Sequence, residues 1–101
     1  MPKFEINNTI VEAFQLSKDV AKGKSPIPEW AKDAATNSII KIVILADEYY
    51  AIVKTFRGYS IIACPNDWII MNENKQIYTE THQKFLQNYT EIICYELLKK
   101  Q

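Results

Sequence analysis

The chain has little glycine: only Gly23 and Gly58 among 101 residues. That scarcity excludes a Gly-rich phosphate-cradling loop, whose backbone must approach the phosphates free of side chains. It also pushes tight turns onto Asn and Asp, the residues next best able to adopt left-handed backbone. Cysteine is equally sparse. Cys64 and Cys94 cannot build the disulfide framework with which small secreted domains supplement a small core. One histidine, His82, stands beside them, so the close ligand pairs of a zinc site are missing. No apolar run approaches the roughly 18 residues that a membrane-spanning helix needs. Net charge is lacking too: 12 Lys plus Arg balance 12 Asp plus Glu. The basic excess that drives general binding to nucleic acid or anionic membrane is therefore absent. The first residues, Met1-Pro2-Lys3-Phe4-Glu5, lead into no apolar segment of a secretion signal. A cytoplasmic protein without metal or cofactor is expected.

What the sequence does contain is 48% hydrophobic and 24% charged residues, the composition of an ordinary globular chain. At this length a single domain over 1–101 is expected. Residues 10–15 read as a strand, and 17–25 as a polar connection in which Lys18, Lys22 and Lys24 are solvated. A helix follows, with Pro28 in its first turn, where a missing N–H costs nothing. Ile27, Trp30, Ala31, Ala34 and Ala35 recur at helical spacing and make one apolar stripe. From 39 to 79 the pattern is strand after strand: 39–45, 49–56, 59–64, 68–71 and 76–79. Turns are expected at Ala46-Asp47-Glu48, at Arg57-Gly58, at Pro65-Asn66-Asp67 and at 72–75. Thr81 is a usable N-cap for a second helix that runs to Tyr89, with His82, Phe85, Leu86 and Tyr89 on one face. A last strand over 91–96 precedes a frayed tail, 97–101. The order is strand, helix, five-strand meander, helix, strand. This predicts an α+β fold: a mostly antiparallel, meander-like sheet of six to seven short strands with two helices, which curling would make barrel-like.

Three blocks of sequence resemble a known group. They are Val11-Glu12-Ala13-Phe14-Gln15, then Pro65-Asn66-Asp67-Trp68-Ile69-Ile70, then Gln76-Ile77-Tyr78 followed by Phe85 and Tyr89. In this order and spacing the chain resembles small phage and prophage proteins of unknown function related to the PGDYG domain. The departures are losses of glycine: Asn66 stands where the group usually has Gly, and Asn74-Lys75 where it favours a Gly-containing turn. The resemblance implies structural roles for Glu12, Asn66, Asp67, Trp68, Phe85 and Tyr89, and a phage or prophage origin. It implies no reaction, cofactor or catalytic residue.

The residues themselves offer few chemical constellations. Cys64 and His82 form the one conceivable nucleophile–base dyad, but Cys64 ends an apolar strand and His82 sits in the first turn of a helix. Glu12 and Asp67 could raise each other's pKa if they met, yet Asp67 is more simply a turn acceptor and Glu12 a partner for a lysine or a backbone donor. A hydrolase-like reading requires these groups to converge in one pocket. Strand 39–45 is apolar on both faces, interrupted only by Lys41, and two helices cannot comfortably cover both sides of such a sheet. The neighbouring aromatics Tyr49, Tyr50, Phe56 and Tyr59, together with Arg57, are of the types that dominate interface energy. These five are the candidate partner-binding residues. The expected partner is a protein, either a second copy in a homodimer or a host factor, and the resemblance makes inhibition of a host or defence protein a specific expectation. A nucleic-acid or nucleotide-binding module is the rival: the aromatics suit stacking, but Asp47 and Glu48 adjoin them and Arg57 is alone.

Overall fold

The computed structural model describes residues 3–92. These form eight strands and three helices: β1 (Lys3–Ile6), β2 (Thr9–Gln15), α1 (Lys18–Ala21), α2 (Glu29–Thr36), β3 (Ile40–Leu45), β4 (Glu48–Lys54), β5 (Ser60–Ala63), β6 (Trp68–Met71), β7 (Ile77–Glu80), α3 (His82–Asn88) and β8 (Thr90–Ile92). The strands make two antiparallel sheets, one of five strands in the order β7-β6-β2-β1-β8 and one of three in the order β3-β4-β5. The α+β class and its antiparallel pairing are as expected.

The connectivity is richer than a single meander. β3, β4 and β5 do form one, in register Ile42↔Ala51↔Ala63, but β6 does not pair with β5. Pro65 follows β5, and Asn66 adopts φ 75°, the left-handed conformation that Asn tolerates. The turn is then clamped to the end of β2: Asn66 N–H donates to the Leu16 carbonyl and Leu16 N–H to the Asp67 carbonyl, both at 2.8 Å. That hands the chain to the edge of β2, where β6 pairs in register Phe14↔Ile69. The sheets stay separate and no barrel closes among the described residues.

Two elements were not anticipated. β1 pairs with β2 through a hairpin whose central residues, Asn7 and Asn8, both have positive φ (50° and 64°), the backbone of the two-residue turns that match strand twist. The lysine-rich connection contains the one-turn helix α1, capped by Ser17, whose Oγ accepts from Val20 N–H at 3.2 Å. Thr81 caps α3 in the same way, accepting from Lys84 N–H. The face of α3 is narrower than expected, since Phe85 and Tyr89 are buried while His82 and Leu86 are exposed. Likewise Ala35 of α2 is exposed, and only Ala31 and Ala34 of that helix are buried. The final strand is seen as β8. The rest of its expected extent, Cys94 and the expected tail lie outside the described residues.

Strand alternation sorts the side chains into layers. One face of the five-stranded sheet contributes Phe14, Leu16, Ile69, Met71 and Ile77 to a core shared with Ile40, Ala51, Val53 and Ala63 of the three-stranded sheet and with Ala31 and Ala34 of α2. The opposite face contributes Phe4, Val11, Ala13 and Ile70 to a second core closed by Phe85 and Tyr89. The five-stranded sheet therefore sits in the middle. Among the described residues the three-stranded sheet has a partner on one side only.

Candidate functional site

The uncovered side of the three-stranded sheet follows from the register. Inward positions Ala51, Val53 and Ala63 are fully buried. Their neighbours must point outward: Lys41, Val43 and Leu45 from β3, Glu48, Tyr50, Ile52 and Lys54 from β4, Ser60 and Ile62 from β5. Val43 stands opposite Tyr50, and Ile52 opposite both Lys41 and Ile62, so the apolar groups are cross-strand neighbours and not scattered points. Leu45 and Ile62 are each 58% exposed, while Val43, Tyr50 and Ile52 are half-buried by one another. Charge is confined to the ends of β4 and to Lys41. Lys54 is at one end of β4 and Glu48 at the other, with Asp47 in the turn beyond. An open depression of about 470 Å³ lies at the Glu48 end, lined by Asp47, Glu48, Tyr49, Tyr50, Ile62, Cys64 and Pro65. Among the described residues no helix or strand packs on this face, and contiguous exposed apolar surface of this kind marks interaction sites.

The five candidate partner-binding residues do not form one patch. Tyr50 belongs to the open face, whereas Tyr49 points inward and packs against the shared core. Phe56, Arg57 and Tyr59 lie around the β4–β5 turn, about 20 Å along the strand direction from Tyr50 at 3.3 Å per residue. There they line a separate groove of about 400 Å³ with Ile61, Asn72, Tyr78 and Thr79, and the Arg57 guanidinium sits 5.5 Å from the centre of the Phe56 ring. The length of β4 beyond Tyr50, residues 51–54, separates side chains that are close in sequence. Val43, Leu45, Ile52 and Ile62 were missing from the candidate residues. Alternation along strands 39–45 and 49–56 carries the signal for the first three; which face lies outside does not follow from it.

The structure places the residues named with the three sequence blocks as follows. Trp68, Phe85 and Tyr89 are stacked face to face, with ring centres 3.9 and 4.5 Å apart in succession, and Phe4 meets Trp68 and Phe85 edge-on. The column ends in a hydroxyl pair, Tyr89 and Tyr78, at 3.0 Å. Burial pushes both phenols above the ordinary tyrosine value, and for Tyr89 the bond to Tyr78 adds to the rise. At the other end Trp68 Nε1–H donates to His82 Nδ1 at 3.0 Å, with Gln15 Nε2 3.3 Å from the same nitrogen. Asp67 spends Oδ2 on the Cys64 N–H at 2.8 Å, holding the turn. Glu12 stands opposite Lys3 and Met71 in register.

The four groups of the hydrolase-like reading are not brought together. Glu12 shares the parity of Phe14 on the face toward the three-stranded sheet, while His82 meets Gln15 and Trp68 on the α3 face. Cys64 is exposed beside the depression, and the Asp67 carboxylate is turned to the Cys64 backbone. Among the described residues no group of three or more His, Cys, Asp or Glu could hold a metal ion, and no helix is long and apolar enough to cross a membrane. Comparison with protein-family models, with curated proteins and with solved structures returns no match.

Proposed function

We propose that the protein acts by binding another protein through the outer face of the β3-β4-β5 sheet. The observation that carries this reading is the asymmetry of that sheet. One face buries Ala51, Val53 and Ala63 completely, while the other leaves Leu45 and Ile62 mostly in solvent with Val43, Tyr50 and Ile52 between them. A sheet face of this composition is stabilised by an apolar counter-surface, and a partner that offers a flat aliphatic or aromatic face meets charge only at the ends of β4 and at Lys41 on the β3 edge. The zero net charge adds no long-range repulsion against such a partner. The resemblance to phage and prophage proteins supplies the setting, an accessory protein in the host cytoplasm whose partner is a second copy of itself or a host or defence protein that it inhibits.

The test compares three variants of the full chain. Ile62→Lys and Tyr50→Ala alter the open face, and Tyr59→Ala alters the separate groove. With folding checked by circular dichroism, association measured by light scattering and by quantitative capture from host cells is lost in Ile62→Lys, weakened in Tyr50→Ala and retained in Tyr59→Ala. Loss in Tyr59→Ala with retention in Ile62→Lys would move the binding site to the groove at the β4–β5 turn and overturn the assignment.

A further inference from the structure

The charges that flank the open face have a polarity along β4. Counting outward-facing cross-strand rows from one end, the first holds Lys54 and Ser60, the second Lys41, Ile52 and Ile62, the third Val43 and Tyr50, and the fourth Leu45 and Glu48. The second and third rows are apolar except for Lys41, which stands on the β3 edge where its exposed side chain reaches solvent beside the face. Lys54 and Glu48 are equally far from these two rows, one on each side, on the same strand, and both are exposed.

Two sheets packed face to face about a twofold axis can be related in two simple ways. If the axis runs along the strands, each row lies over its own copy, so Lys54 faces Lys54 and Glu48 faces Glu48. If the axis crosses the strands at the centre of the face, the first row lies over the fourth and the second over the third. Lys54 of each copy then faces Glu48 of the other, at both ends, and Ile52 packs over Tyr50. Opposite charges at the rim set orientation and suppress the wrong register, and twofold pairing is the common closed arrangement for identical chains. Resting on the reading above, which makes this face a docking surface, we propose that its occupant is a second copy of this chain, packed face to face with its β4 running in the opposite direction.

The size of the face sets the strength. Three strands about 4.8 Å apart and six residues at about 3.4 Å each span roughly 300 Å² in projection, well short of the roughly 800 Å² per partner of a standard stable interface. The dimer is therefore weak and concentration-dependent. It forms at high micromolar concentration and is dissociated at nanomolar.

Sedimentation equilibrium over that concentration range tests the proposal on the full chain. The wild type shows a reversible monomer–dimer equilibrium. Lys54→Glu and Glu48→Lys each place like charges opposite one another at both ends and weaken the dimer by about tenfold. The double variant Lys54→Glu/Glu48→Lys restores the attraction with its sense reversed and returns the affinity to near the wild-type value. A wild type that remains monomeric at the highest concentration overturns self-pairing. If Ile62→Lys nevertheless abolishes capture of a host protein, the docking surface stands and its occupant is that protein. A dimer that survives Ile62→Lys forms through another surface and overturns self-pairing on this face, and capture that survives as well overturns the docking surface. A double variant as weak as the single ones overturns the antiparallel arrangement.

Discussion

A matched pair of isoleucine truncations measures directly whether the outer sheet face is open. Ile69 in β6 and Ile62 in β5 lose the same three carbons on substitution by Ala, but Ile69 is 0% exposed and Ile62 is 58% exposed. At about 0.8 kcal/mol per buried methylene-sized group, full burial of three carbons is worth about 2.4 kcal/mol. Ile69 also lies between two sheets among Phe14, Met71 and Val53, where a cavity cannot collapse freely, and the total for such sites reaches 2–5 kcal/mol in general. Ile69→Ala should therefore destabilise the domain by about 3.5 kcal/mol. For Ile62 only about two-fifths of the transfer term applies, and water fills the gap, so Ile62→Ala should cost about 1 kcal/mol. With about 4–8 °C lost per kcal/mol for a domain of this size, the first variant melts some 15–25 °C lower and the second about 5 °C lower. Thermal melts followed by circular dichroism at low micromolar concentration, below self-association, read both values. Equal losses at the two positions would refute the reasoning, because they would mean that Ile62 is buried in the isolated chain and its sheet face is covered.

Three further outcomes follow from the interior and from the aromatic column. Trp30 buries its Nε1–H with no acceptor among the described residues; Trp30→Phe removes the orphaned donor and keeps a ring beside Phe14, so urea denaturation should show a change within about 1 kcal/mol instead of the 3–5 kcal/mol of a large core truncation. The Trp68–His82 bond requires an unprotonated Nδ1 as acceptor. NMR of the ring nitrogens should show His82 as the Nε2–H tautomer, and His82→Phe, which keeps a ring but removes the acceptor, should lose about 1 kcal/mol. For Tyr78 and Tyr89 the folded-state pKa lies above the ordinary value of 10.0, so the folded form holds these protons more tightly than the unfolded one. Their contribution is complete below pH 10 and is lost as pH rises beyond it; stability measured across alkaline pH should fall more steeply in the wild type than in a Tyr78→Phe/Tyr89→Phe double variant.

Much of the fold is legible in local chemistry. Continuous runs of β-branched and aromatic residues give β3 and β4, Thr81 caps α3, and Gly58 supplies φ 94° at the turn where Arg57-Gly58 was expected to reverse the chain. Asn66 takes φ 75° in the turn expected at Pro65-Asn66-Asp67. Asn7-Asn8 was an available signal for the β1–β2 hairpin, since two consecutive residues tolerant of positive φ lie between strand-like segments. Strand pairing was less legible. Pro65-Asn66-Asp67 reads as a turn in either topology, and only its backbone bonds to Leu16 send β6 to β2 instead of back to β5.

The fold class, most of the turns, the two-sided apolar character of β3 and the balanced charge are all legible in the chain before it folds. These are local or summed properties, and a residue's own backbone preference or charge decides them. Which side of β3 and β4 is spent on the core is settled by long-range packing. The period-two pattern is the same on either face, so the choice rests on a distant sheet: once Phe14, Ile69 and Met71 take Ala51, Val53 and Ala63 as their counter-surface, Val43, Leu45, Tyr50, Ile52 and Ile62 are left facing outward. The same packing separates Tyr50 from Phe56 and Tyr59. The candidate interface is thus assembled by residues far apart in the chain, through contacts that no local pattern encodes.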